Sequence, residues 1–364
     1  MKSTSSPGNR PLRILIVRIG AMGDVLHAMP AVAALRERHP DSFIGWAIEP
    51  VWSELLEAKG EPFNPLRDER RPLVDRRIEV PTRDWKRRPA SLKTLRDIAS
   101  LRQRLRTDHY DVCVDMQGSI RSAIVARMAA AKIFTGPADP REGPAAWFYR
   151  QKIALSESHV IEQGCELLGA AIGEQLQPTK ISLPVDAAAE RWCDTLLAGI
   201  KKPFAWISPA AGWGSKQWPA EQYGAVAAAL AQAGYQTLIN AFSADDAIAA
   251  RVVEASAGAA TLVPCSIGQM IAAIRRAGVV LGGDTGPIHL AAALERPVVS
   301  IFGPTDPART GPYATRMHVL RHPSSQNDHT RLQDPEHGLM QIGVDAVVDA
   351  ALELLQAEQD KVKA

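Results

Sequence analysis

Twice along this chain a short, continuously apolar run is followed by a glycine-containing turn and a longer amphipathic stretch. That rhythm limits the possible folds more than any other feature. A run without polar alternation suits a strand covered on both faces, and such strands need helices above and below a parallel sheet. The first series predicts strands at Leu12–Val17, Phe43–Ile48, Asp111–Met116 and Lys132–Gly136. Its helices are expected at about Asp24–His39, Ser91–Arg106, Ile120–Ala130 and His159–Ala171. The extended segment Gln177–Pro184, a helix at Asp186–Ala198 and a second break at Gly199–Pro203 then interrupt it. The second series predicts strands at Phe204–Ser208, Gln236–Asn240, Val279–Leu281 and Val298–Phe302, with helices at Ala220–Ala233, Asp245–Ala257, Ser266–Arg276 and Pro287–Leu294. The expected class is α/β, with two doubly wound Rossmann-like domains facing across a cleft, residues 1–183 and 184–340. A last helix within residues 341–364 can cover either domain and is given the option of packing back on the first. A length of 364 residues suits two such cores.

Charge and cysteine content narrow the function classes. Lys and Arg number 42 against 40 Asp and Glu, a net charge of +2, so no global field draws nucleic acid or a membrane. The basic excess is local: from Arg67 to Arg106 there are fourteen Lys or Arg against six Asp or Glu, including Arg83-Asp84-Trp85-Lys86-Arg87-Arg88. A solvated surface accounts for half of these charges, and the rest suit phosphates, sugar acids or acidic lipid heads. No RNA-binding module accompanies them. Cys113, Cys165, Cys193 and Cys265 are scattered, without a CxxC or a His/Cys cluster, which argues against zinc and a disulfide framework and for a reducing compartment. Met1–Pro11 is polar, and a frayed tail is expected there rather than a signal peptide. No apolar run reaches the roughly 18 residues of a membrane span, so a lipid would be met from the surface.

Three turns at strand ends can carry chemistry. Arg18–His27 opens the first helix with Gly20 and Gly23 three apart, which is not a dinucleotide fingerprint. It places Asp24 at a helix start on the cleft side, where it serves either as a cap or as a general base. His27 lies one turn further along the same face. Pro209–Pro219 follows the first strand of the second half. Its Gly212 and Gly214 allow close approach of a ligand, and Ser215 and Lys216 offer donors to phosphate, although the spacing is not that of a P-loop. Gly282–His289 ends a buried strand in two glycines and starts a helix with Pro287 in its first turn. The free N–H groups of Thr285 and Gly286 there suit a pyrophosphate, with Asp284 as the plain capping alternative and His289 nearby.

Together these pieces resemble the bacterial ADP-heptose:lipopolysaccharide heptosyltransferases of glycosyltransferase family 9, which have the two-domain GT-B fold. The resemblance runs from about Arg13 to Leu355. It is carried by MGDVLHAMP (22–30), IGWAIEP (44–50), DMQGSIRSA (115–123), REGPAAWFYR (141–150), SKQWP (215–219) and GGDTGPIHLAAAL (282–294). REGPAAWFYR and IGWAIEP look more like the type I enzymes, which add the first heptose to Kdo, and type II is the near alternative. The family implies an inverting transfer from ADP-L-glycero-β-D-manno-heptose to Kdo of Kdo2-lipid A in the lipopolysaccharide inner core, with no metal or other cofactor. Asp24 matches the family's base, and Ser215, Lys216, Asp284, Thr285, Gly286 and His289 match its donor site. Met270 is implied near the adenine. Two departures stand out. The segment NAFSADDA (240–247) offers Asp245 or Asp246 where a ribose-binding Glu is usual, and Asp84 stands where an Arg is frequent. Acceptor-side positions are His27, Arg83, Lys86, Arg87, Gln117 and Arg121. The expected location is cytoplasmic, extending to the cytoplasmic face of the inner membrane, without a transmembrane segment or a nucleic-acid partner. A same-fold transferase with another sugar donor, an inactive binding protein and a nucleic-acid- or anion-binding protein using residues 67–106 stay open as rivals.

Overall fold

The computed structural model describes residues 10–60, 67–89, 91–328, 330 and 332–363; of the expected tail Met1–Pro11, residues 1–9 lie outside them. The first half contributes strands β1 (Arg13–Val17), β2 (Phe43–Ile48), β3 (Arg76–Glu79), β4 (Val112–Asp115), β5 (Ile133–Pro137) and β6 (Gln151–Ile153). The second contributes β7 (Ala205–Ser208), β8 (Thr237–Ala241), β9 (Ala260–Pro264), β10 (Val279–Gly283), β11 (Val298–Phe302) and β12 (Met317–Arg321). They form two six-stranded sheets, ordered β3-β2-β1-β4-β5-β6 and β12-β11-β10-β7-β8-β9, and every pairing is parallel. Counted within its own half, each sheet has the same order, 3-2-1-4-5-6, that of the doubly wound dinucleotide folds. The predicted interior strands are present, with ends shifted by a residue or two.

The four strands not foreseen are β3, β6, β9 and β12, and each is a sheet edge. An edge strand is paired on one side only and half covered, so it carries polar and charged residues in place of an apolar run. β3 reads RRIE and β6 reads QKI. Chain reversal at each sheet's middle puts the switch points between β1 and β4 and between β7 and β10. The crevice at the carboxyl ends of those four strands is where open α/β sheets bind ligands.

Three apolar clusters make the core. One lies outside the first sheet, under the helices Leu92–Thr107 and Ile120–Met128. A second lies outside the second sheet and takes in Val347, Ala350, Ala351, Leu354 and Leu355 of the last helix, Val344–Lys363. That helix packs on β10–β12 and on the helix Ala220–Gln232, the second of the two domains it was free to cover. The third cluster runs between the sheets, through the helices Met22–Arg38, Val160–Ile172, Ile267–Ile274 and Gly286–Ala293. The two units therefore share a packed apolar interface. Buried Glu54 of the first unit also crosses it, accepting from the Gly268 N–H at 3.0 Å and the Ser266 hydroxyl at 3.1 Å. All four cysteines are free and buried. Among the described residues no helix is long and apolar enough to cross a membrane.

Candidate active site

The loops after β1, β4, β7 and β10 meet at the two switch points, and each carries one of the motifs seen in the sequence. After β1 the helix Met22–Arg38 begins with Asp24 in its first turn. The Asp24 carboxylate accepts the Ala21 N–H through Oδ2 at 3.0 Å and pairs through Oδ1 with Arg18 Nη2 at 2.9 Å. Each oxygen keeps a free lone pair, and the side chain remains 37% exposed. Asp24 thus closes the capping box at this helix start from N3 and is also an accessible, oriented carboxylate. Arg18 is fixed in turn by the Met116 carbonyl at the end of β4 and by the Asp24 carbonyl. Gln117 braces the same turn: its Oε1 accepts the N–H groups of Ile19 (2.8 Å) and Gly20 (3.3 Å). Beneath it Asp115 is fully buried and gathers the Gln117 and Gly118 N–H groups and the Ser122 and Tyr149 hydroxyls. Burial pushes its carboxyl up and these four bonds push it down, and burial wins.

Across the cleft, Asp284 follows β10 and gathers three partners. Lys216 Nζ lies 2.5 Å and the Thr305 hydroxyl 2.8 Å from its Oδ2, and His289 Nε2 lies 3.0 Å from its Oδ1. Burial alone would raise this carboxyl, but the His289 hydrogen bond and the Lys216 ammonium outweigh it and hold Asp284 well below the usual carboxylate range. Lys216 also lies over the Trp213 ring, 4.4 Å from its centroid. Thr285 is the N-cap of the helix Gly286–Ala293, which has Pro287 in its first turn. The hydroxyl oxygens of Thr285 and Ser215 are buried and lack a protein hydrogen-bond partner among the described residues. The Lys216 ammonium, held by Asp284, thus stands beside the N-terminus of this helix, a combination that suits an anion.

The two half-sites touch. A Cβ on Gly23 would sit 2.7 Å from His289 Cδ2, and one on Gly286 would sit 2.6 Å from Met22 Sδ. Only glycine lets the first turns of these two helices approach so closely, and that contact sets Asp24 opposite the Asp284–Gly286 turn. His27 completes it. An ionised Asp284 only accepts, so His289 donates to it through Nε2, and its other ring nitrogen, Nδ1, lies 3.2 Å from His27 Nε2. Burial, then the neighbouring His289, push His27 well below the ordinary imidazole value, so it is neutral. His27, expected on the acceptor side, is buried against His289 where the two units meet.

The remaining predicted residues fall in two groups. Arg83 lies close to the Asp24 turn: its guanidinium is 5.4 Å from the Trp52 ring centroid, and Trp52 Nε1 would be 2.8 Å from a Cβ on Gly20. Arg121 donates to the Thr82 hydroxyl at 3.1 Å, and Glu49 holds the start of the short helix Thr82–Arg87 through Thr82 and Arg83. Lys86 and Arg87 on that helix are exposed. Met270, by contrast, implied near the adenine, is fully buried in the inter-sheet core. Asp246 caps the helix Ala247–Ala255 through two N–H groups, which leaves Asp245, exposed in the preceding turn, as the available carboxylate. Arg18, Thr305, Asp115 and Glu49 were not singled out in the sequence. All four stand at or just after the carboxyl end of a buried strand, but nothing local names the partner each one holds. Among the described residues no group of three or more His, Cys, Asp or Glu could hold a metal ion.

Two facing doubly wound units, with an ammonium at a helix start on one and an accessible carboxylate on the other, have the GT-B architecture of a glycosyltransferase. Residues 98–339 match the model of glycosyltransferase family 9 (heptosyltransferase), and the chain belongs to that family. It is 27% identical over 316 residues to lipopolysaccharide heptosyltransferase 1 of Escherichia coli K12, covering 86% of this chain and 94% of that protein. It is 24% identical to lipopolysaccharide heptosyltransferase 2 of the same strain, over 95% and 98% of the two chains. The structure of the E. coli heptosyltransferase WaaC with ADP superposes with a TM-score of 0.74 at 25% identity, over 94% of this chain and 100% of that one.

Proposed function

We propose that this protein transfers a heptose from ADP-heptose to the lipopolysaccharide inner core, and that it adds the first heptose, to Kdo of Kdo2-lipid A. The observation that supports this most is the contact of Gly23 with His289, which sets Asp24 against the Lys216–Asp284–Thr285 loop. The donor diphosphate lies on the N–H groups at the start of the helix Gly286–Ala293, and the Lys216 ammonium and the Ser215 and Thr285 hydroxyls offset its charge. The nucleotide's ribose falls to Asp245. Asp24 removes the proton from the acceptor hydroxyl as that oxygen forms the new bond to the anomeric carbon, and ADP leaves from the opposite face with inversion. Arg18 keeps the carboxylate pointed at the acceptor. Because Lys216 and the helix end carry the charge, the transfer is expected without an added divalent cation.

Arg83 and Arg121, flanked by Lys86 and Arg87, suit the carboxylates and phosphates of a Kdo-bearing acceptor. Such a substrate places the enzyme in the cytoplasm, at the membrane that displays it. Steady-state rates with a Kdo-terminated and a heptose-terminated acceptor test the position of the transfer. A higher kcat/KM for the Kdo-terminated acceptor is expected; a preference for the heptose-terminated one would assign the second transfer instead.

A further inference from the structure

The outer layer of the first sheet consists of the helices Thr82–Arg87, Leu92–Thr107 and Ile120–Met128 and the turn Gly143–Phe148. It is one continuous surface. The Thr94 hydroxyl donates to the Arg88 carbonyl at 2.8 Å, Arg121 donates to Thr82, and the Ile120 N–H donates to Glu142 at 2.9 Å. The helices Leu92–Thr107 and Ile120–Met128 also pack on each other, and the second of them packs on the turn. Underneath, Leu101, Leu105, Ala123, Val125, Ala126 and Ala145 fill the core. Outside, the layer is apolar again. Eleven large apolar side chains are exposed among the described residues, and five of them lie here: Trp147 (81%), Leu92 (72%), Leu95 (56%), Ile124 and Ile120. None of the five is needed to fill the core, and their concentration on one layer marks a binding face rather than scattered surface hydrophobics. The charges between them are mostly basic: Lys93, Arg96, Arg102, Arg127 and Arg141 are all exposed.

We propose that this layer is the face on which the enzyme rests against an anionic phospholipid membrane. Leu92, Leu95, Ile124 and Trp147 enter the headgroup boundary, and the lysine and arginines between them meet lipid phosphates. A basic face with interspersed leucines and an exposed indole is the chemistry of interfacial binding. A nucleic-acid surface would present the same cations without the aliphatic side chains. The face adjoins the acceptor-side residues, since Arg121 lies between Ile120 and Ile124 on one helix and bonds to Thr82. Docking there would hold the acceptor-side arginines at the lipid surface. The inference deepens the reading of a lipid-anchored acceptor and rests on it for its purpose, but the binding is measurable without substrate.

The test is co-sedimentation of the full chain with vesicles of phosphatidylglycerol and phosphatidylethanolamine, compared with pure phosphatidylcholine. Wild type should bind the anionic vesicles and lose that binding in high salt. Lys93→Ala with Arg96→Ala should weaken it about fivefold for each charge removed. Leu92→Ser with Leu95→Ser, and separately Trp147→Ala, should each weaken it at least about tenfold. All should keep wild-type turnover on a delipidated acceptor, which shows that they fold. The proposal is overturned if wild type binds both vesicle types equally, if the variants bind as wild type does, or if RNA competes the protein off the vesicles. Failure to transfer heptose, with vesicle binding intact and lost in the variants, would sink the acceptor reading and leave the docking face standing.

Discussion

Asp284→Asn removes one charge without changing shape, and the structure indicates what that does. In the wild type the carboxylate is 7% exposed and its Lys216 partner 14%, so solvent screens the pair little. Taking away one member of a buried pair leaves the other uncompensated, which costs about 3 kcal/mol at the lower end of measured cases. The asparagine also ceases to be an obligatory acceptor for His289, which loosens the His289–His27 contact across the interface. With a denaturant slope of about 3 kcal/mol per molar for urea, the midpoint of the second unit should fall by roughly 1 M. The pH dependence has a defined sign. The folded Asp284 carboxyl is depressed, so its stabilisation is complete above the unfolded value of about 3.9 and is lost only as pH falls below that towards the folded value. Urea melts of wild type and variant, followed by tryptophan fluorescence, should therefore differ equally at pH 8 and pH 5.5. A difference that disappears between those two values would assign the effect to histidine protonation. A difference below about 0.5 kcal/mol at both would refute the account of the pair altogether.

Three further outcomes follow from the same geometry. Asp24→Asn should lower kcat by roughly a hundredfold or more while calorimetry shows ADP binding unchanged; normal turnover would remove Asp24 as the base. Lys216→Ala should weaken ADP binding by about tenfold or more, as expected for losing a charge-assisted contact to phosphate, and fluorescence titration reads this directly. In Gly23→Ala the new methyl would meet His289 at 2.7 Å and force the two helix starts apart. It should reduce kcat with little change in ADP affinity, and unaltered kcat would show that the close approach is dispensable.

What the sequence could show depended on burial and on distance along the chain. Interior strands such as β1 and β11 are apolar at nearly every position, because both faces and both edges are covered, and their sequence says so. The edge strands RRIE and QKI have no such requirement and read as loop. Asp24, Lys216 and Asp284 were legible because each stands in a glycine-marked turn after a buried strand. Their partners were not: Arg18 pairs with a carboxylate six residues on, and Thr305 reaches Asp284 from the next strand's loop, 21 residues away. His27 shares a helical face with Asp24, yet the second unit packs against it, and no local pattern reveals a contact 262 residues distant. Met270 was implied near the adenine by the resemblance alone; its own helix turns an apolar face to the core and carries no local signal of ligand contact.

The most direct test of the central claim is the product mass after mixing the protein with ADP-heptose and delipidated Kdo-lipid A without added metal. The account predicts an acceptor heavier by one heptose, with one ADP released for each transfer. An unmodified acceptor, with no binding of ADP-heptose to the protein, would contradict it.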